Sequence, residues 1–182
     1  MSDTASTAPK SGNLGVTLAT WLYILDAAGH GPAAGAVADR VAALRGAAPE
    51  DADALGQELA QHIEAELGDA PAFPEVVAWL HGLFGDDALR TGFGDARDAR
   101  LRAVRAYQFR SSLPWLAQVI DRFPNGDVGA HWVMVERVTD RVTCMDPYPW
   151  DDLDEEYEQP VVEFMVKWEL AGCGAIAWSD AR

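Results

Sequence analysis

The sequence is poor in cysteine and has no long apolar run. Only two of its 182 residues are cysteines, Cys144 and Cys173, which are too few for a disulfide framework and are not spaced as metal ligands. Two buried thiols, or one optional disulfide, are the default reading. No run reaches the roughly 18 apolar residues of a membrane span. The first residues, MSDTASTAPKSGN, lack the basic end and apolar stretch of a secretory signal. We therefore expect a cytoplasmic protein with no membrane span.

Basic residues are also few: 14 Lys and Arg stand against 29 Asp and Glu, a net charge of −15. Nucleic-acid affinity comes largely from clustered cations, so no nucleic-acid partner is expected. The densest acidic stretch, WDDLDEEYE, has six carboxylates between Asp151 and Glu158. It lacks the glycine and spacing of a calcium-binding EF-hand, and no metal or cofactor is expected. A solvated acidic loop is one reading, and a docking surface for a basic partner is the other.

The hydrophobic content of 49% and the seven tryptophans indicate one packed domain over residues 13–182, after a disordered polar tail over 1–12. The first half shows the apolar spacing of helices, whereas GDDALRTGFGDARD (85–98) is typical of a loop. Helices are predicted from Leu14 to the AAGHGP segment, through Val37–Leu44, from Pro49 to Leu67, from Pro74 to Leu83, through Leu101–Phe109, and over SSLPWLAQVIDRF (111–123).

The pattern changes after residue 124. Residues 131–138 and 141–146 are rich in β-branched and aromatic side chains, which predicts a hairpin that turns at Thr139 and Asp140. A short helix from Pro160 and a strand over GAIAW (174–178) complete the chain. Helices first and antiparallel strands last predict an α+β domain, with N-terminal helices packed on a C-terminal antiparallel sheet.

The hairpin register brings a histidine and an aspartate together. A two-residue turn would place Val133 opposite Asp146, so that His131 and Asp146 share a face as diagonal neighbours, about 7–8 Å apart at the backbone. A carboxylate that orients an imidazole supports a general base, although a plain structural hydrogen bond is the alternative. Cys144 shares this face but lies four strand residues from the level of His131, about 14 Å away.

The motifs HWVMVERV…RVTCMDP and FMVKWELAGCGAIAW resemble the C-terminal half of papain-fold cysteine peptidases of the bacteriocin-leader-processing family. In that family a histidine opens an apolar strand, and a hairpin leads to an Asp-Pro that carries the third catalytic residue. A helix and a strand then close the domain. The resemblance covers about 115–178 and implies a papain-like fold, with His131 as the catalytic base and Asp146 as its orienting acid.

The nucleophile of that family is missing. The family has a cysteine directly before a glycine at the start of the first core helix, with a glutamine upstream. Here Leu14 precedes Gly15, and no glutamine lies between Met1 and Leu14. Leucine cannot attack a carbonyl. The resemblance therefore implies a degenerate, catalytically inactive domain that binds a peptide or partner protein, with Asn13, Trp132 and Trp150 as candidate peptide contacts.

Two alternatives stay open. The first is an active cysteine hydrolase or acyl-transferase that uses Cys173 or Cys144 with His131 and Asp146. The second is an acidic interaction or immunity-type protein on an unrelated α+β fold. The inactive binding domain is the preferred interpretation, because it accounts for both the His–Asp pattern and Leu14.

Overall fold

The first half of the chain is helical. The computed structural model describes residues 14–68, 70–93, 113–122, 128–147 and 155–179. The helices are α1 (Leu14–Ala27), α2 (Ala36–Arg45), α3 (Pro49–Leu67) and α4 (Phe73–Phe84), and all four predictions are confirmed. A proline occupies the first turn of both α3 and α4, where its missing N–H removes no helical hydrogen bond.

The second half forms a six-stranded antiparallel sheet. Its strands are β1 (Leu89–Gly92), β2 (Trp115–Arg122), β3 (Val128–Val138), β4 (Arg141–Met145), β5 (Glu156–Pro160) and β6 (Ala175–Trp178). The strands pair in the order β1-β6-β2-β3-β4-β5, and helix α5 (Val161–Leu170) connects β5 to β6. The α+β prediction, with helices followed by an antiparallel sheet, is confirmed. Among the described residues, no helix has the length and apolar character needed to cross a membrane.

The sheet separates two cores. Helices α1 to α4 pack on one face, where they meet Trp132 and Met134 of β3. Helix α5 packs on the other face, where Phe164 and Trp168 meet Val133. Successive residues of a strand point to opposite faces, so β3 supplies side chains to both cores in turn. We call the side of the sheet that packs against α1 to α4 the helical face, and the side that packs against α5 the α5 face.

Three predictions fail in the sheet. The helix predicted over 111–123 is wrong, because Trp115–Arg122 form β2, whose first three residues are all buried. A central strand buried on both faces shows an unbroken apolar run that periodicity cannot distinguish from a buried helix. The loop predicted over 85–98 contains β1, and the acidic loop predicted over 151–158 contains the start of β5. The helix predicted through Leu101–Phe109 and the tail over 1–12 lie outside the described residues.

Candidate functional site

The β3–β4 hairpin contains a bulge that the sequence did not reveal. A two-residue turn pairs Val138 with Arg141, but Val138 pairs with Val142 instead, one residue further along. The register then shifts between Val135 and Arg137, and beyond this shift Val135 pairs with Cys144 as predicted. A bulge adds one residue to one strand and so reverses the faces of the residues that follow. The offset at the turn and the bulge cancel before the chain reaches Asp146.

His131 and Asp146 form a hydrogen-bonded pair at the end of this hairpin. His131 Nε2 and Asp146 Oδ2 are 2.5 Å apart. The two side chains are 2% and 1% exposed, so the pair is closed to solvent. The backbone N–H of Asp146 donates to the carbonyl of Glu155 at 2.7 Å, which links the residue after β4 to the residue before β5. The predicted proximity is confirmed, and the catalytic roles remain predictions.

Further polar side chains lie on the same face along β4 and β5. Cys144 pairs with Tyr157, and the side-chain amide of Gln159 donates to Cys144 Sγ at 3.6 Å. Burial raises the pKa of the Cys144 thiol to about 12, and the hydrogen bonds from Gln159 and Tyr157 offset only part of this. Burial also raises the pKa of Tyr157 well above its usual value. The Cys144 thiol is therefore protonated at neutral pH, and it is the thiolate that attacks carbonyls.

Neither cysteine lies directly opposite His131 on an adjacent strand. Cys144 pairs with Val135, four residues along β3 from His131, which separates their backbones by about 14 Å. Cys173 precedes β6. Extending the pairing of Ala117 with Ala175 by two residues brings Cys173 beside Val119 of β2, and Val119 pairs with His131 on its other side. The width of β2 separates Cys173 from His131 by about 10 Å at the backbone. Cys173 is 2% exposed and has a φ of 54°, in the turn that closes α5.

Leu14, where the resemblance places the nucleophile, is a core residue. It is the first residue of α1, is 4% exposed, and belongs to the same core cluster as Trp132 on the helical face. The hydroxyl of Thr17 donates to the carbonyl of Trp132 at 3.4 Å, so the first turn of α1 lies against β3 next to His131. Trp132 is itself buried and stacks on Phe73. Asn13 and Trp150, the other predicted peptide contacts, lie outside the described residues.

A groove lies beside the chain that carries Asp146, and the sequence did not predict it. It has a volume of about 640 Å³ and lies between α1, α3 and Pro147, the residue after Asp146. Its walls include the small residues Ala19, Ala52 and Gly56, which leave the space open, and Tyr23, which is 39% exposed. The only sequence signal was the spacing of Ala52 and Gly56, which places both on one side of α3.

The acidic segment is described only from residue 155 onward. Glu158 of β5 pairs with two arginines of the hairpin, Arg137 at 3.0 Å and Arg141 at 3.2 Å. Both ion pairs lie at the surface, where such pairs contribute little stability. One carboxylate of the predicted acidic docking surface is therefore already paired within the chain. Residues 148–154 lie outside the described part.

Comparison of the chain with models of protein families, with curated proteins and with solved structures finds no match in any of the three. Among the described residues, no group of three or more His, Cys, Asp or Glu side chains could hold a metal ion.

Proposed function

We propose that this chain is a catalytically inactive, cysteine-peptidase-like domain that binds a peptide or a partner protein. Two observations support the proposal: the His131–Asp146 pair is formed, and Leu14 is a buried apolar residue in the first turn of α1, on the opposite face of the sheet from that pair. A base and its orienting acid cannot perform covalent acyl transfer without a nucleophile. In this proposal the pair stabilises the hairpin, and the domain binds a peptide or partner protein without cleaving it.

An active hydrolase is less well supported. It would need Cys144 or Cys173 as a thiolate, but both are buried and the pKa of Cys144 is raised to about 12. It would also need a substrate to reach His131, which is 2% exposed. The acidic interaction or immunity-type alternative shares the binding role but assigns it to an α+β fold unrelated to cysteine peptidases.

The groove between α1, α3 and Pro147 is the proposed binding site. Its volume of about 640 Å³ is within the range of ligand sites, which is on the order of 300–1,000 Å³. Tyr23 supplies an aromatic wall, while Asp53 and Gln57 supply polar groups that can fix the orientation of a peptide backbone. The acidic segment Asp151–Glu158 is a secondary contact for a basic part of the same partner.

Selection from a phage-displayed library of short random peptides tests the groove. Ala52→Trp would fill the groove from α3, and Ala54→Trp is the matched control because Ala54 is exposed on α3 but does not line the groove. We expect peptides enriched on the wild-type chain to lose binding to Ala52→Trp and to keep it on Ala54→Trp. Equal binding to both variants, or no enrichment at all, would refute the groove as the site.

A second experiment tests inactivity. The wild-type chain and His131→Ala are incubated with a defined mixture of peptides, and the products are identified by mass spectrometry. We expect no cleavage or acyl transfer by either chain. Turnover by the wild type that disappears in His131→Ala would establish an enzyme and remove the inactive-domain proposal.

A further inference from the structure

Helix α5 carries an apolar stripe on its outer surface. Val162, Val166 and Leu170 are 71%, 52% and 67% exposed, and they are the three large hydrophobic residues of α5 that are strongly exposed. We propose that this stripe is a docking surface for a basic amphipathic helix of a partner protein. The stripe and the groove lie on opposite faces of the sheet, so this inference goes beyond the proposed function and does not depend on it.

The three residues form a continuous ridge that points away from the core. Residues of a helix are rotated by about 100° each, so residues four apart lie about 40° from one another around the axis. Phe164 and Trp168, the buried residues of α5, lie on the opposite side of this helix. Rows of residues four apart are the ridges by which helices pack against one another. The stripe therefore has the geometry of a helix–helix contact.

Carboxylates border the stripe on both sides. Viewed down the helix axis, Glu163 lies about 20° outside Leu170 on one side of the stripe and Glu169 lies about 20° outside Val162 on the other, and both glutamates are exposed. Lys167 lies beyond Glu163 and is shared between Asp121 at 3.1 Å and Glu163 at 3.3 Å, so the two carboxylates and the one ammonium group leave a net negative charge on this side. An apolar ridge with acidic borders complements an apolar ridge with Lys or Arg borders, as flanking charges do in paired helices.

Charge argues against other occupants. A second copy of this chain has the same two glutamates beside its stripe and the same net charge of −15, so two copies repel one another. An anionic membrane surface would be repelled by the same borders. A basic amphipathic helix is therefore the occupant that matches both the ridge and its borders.

The stripe is presented on a well-packed helix. The indole of Trp168 donates to the carbonyl of Gly174 at 2.8 Å, and its ring packs against Phe164 and Trp115 at centroid distances of 5.8 and 5.6 Å. A surface held in place before binding loses little conformational entropy when the partner arrives. Helix α5 spans about 15 Å, enough for two to three turns of a partner helix.

Fluorescence anisotropy with the full chain tests the proposal. The probe is a synthetic labelled helical peptide with leucines along one face and lysines on both borders, and the control peptide has glutamates in place of the lysines. We expect the lysine-bordered peptide to bind the wild-type chain and Val166→Glu to weaken it at least about tenfold. Val128→Glu is the matched control, because Val128 is 61% exposed but lies on β3. The double change Glu163→Lys, Glu169→Lys should transfer the preference to the glutamate-bordered peptide.

Several outcomes would overturn the proposal. Equal binding of the lysine-bordered peptide to the wild type and to Val166→Glu would place its contact elsewhere. A dimer in sedimentation that Val166→Glu dissociates would make a second copy the occupant. Binding to phosphatidylserine vesicles that requires Val166 would make it a lipid surface. Circular dichroism checks the fold of each variant, and Val162→Ala repeats the test with a milder change.

Discussion

Iodoacetamide should alkylate Cys144 about 10³ times more slowly in the native chain than in the unfolded chain at pH 8. Cys144 is fully buried between β3 and β5, and burial raises its pKa from 9.0 to about 12. At pH 8 this leaves a thiolate fraction on the order of 10⁻⁴, against about 10⁻¹ for an ordinary thiol, and only the thiolate reacts. Steric exclusion of the reagent would slow the native reaction further.

The same pKa shift predicts a loss of stability at alkaline pH. Because the folded chain holds the Cys144 proton more tightly than the unfolded chain, this contribution is fully present below pH 9. It is lost as the pH rises from 9 towards 12. The loss should reach about 1.4 kcal/mol of unfolding free energy at pH 10. Tyr157 acts in the same direction, so the difference between the wild type and Cys144→Val isolates the thiol.

The labelling assay uses a Cys173→Ala chain, which leaves Cys144 as the single thiol. Mass spectrometry follows carbamidomethylation over time in native buffer and in denaturing urea, and urea unfolding at pH 8 and pH 10 gives the stability difference. A native labelling rate within about tenfold of the unfolded rate would show that burial does not protect the Cys144 thiol. If native labelling of Cys144 were this fast and His131→Ala slowed it, Cys144 would be an activated nucleophile. The enzyme interpretation would then replace the binding domain.

Five further single substitutions test the packing. His131→Ala and Asp146→Ala should each cost about 3 kcal/mol of unfolding free energy, because each breaks a buried polar pair. The double variant should cost less than the sum of the two, and urea unfolding measures all three variants. Gly56→Ala should stabilise α3 by about 0.5–1 kcal/mol, since a Cβ there meets no atom within 4 Å. Gly15→Ala should destabilise the chain, because its Cβ would lie 2.6 Å from Glu64 Cγ and 2.7 Å from the carbonyl oxygen of Ala60, both in α3. Equal melting temperatures for the two glycine variants would contradict this packing. Trp168→Phe should cost about 1–3 kcal/mol by removing a buried hydrogen bond, and an unchanged unfolding midpoint would show that this bond contributes little.

The approach of His131 to Asp146 was predicted through a register that is only partly right. Strand alternation placed the two on one face, and the structure agrees. The turn itself is offset by one residue, and the bulge between Val135 and Arg137 reverses that offset. Turn chemistry at Thr139 and Asp140 did not reveal this, because a bulge depends on how two strands twist against the rest of the sheet. Without the bulge, the offset at the turn would leave His131 and Asp146 on opposite faces of the sheet.

Local patterns in the sequence were enough to predict the four N-terminal helices, the hairpin, the order of helices before strands, and the acidic surplus. The packed chain was needed to show that Trp115–Arg122 is a central strand, that Leu14 and His131 lie on opposite faces of the sheet, and that a groove lies beside Pro147. The physical reason is that periodicity records which side of an element is buried, whereas a strand covered on both faces carries no such record. The exposed ridge of α5 belongs to the same group, because the helix wheel shows which residues are aligned and only the packed chain shows which side of the helix the core covers.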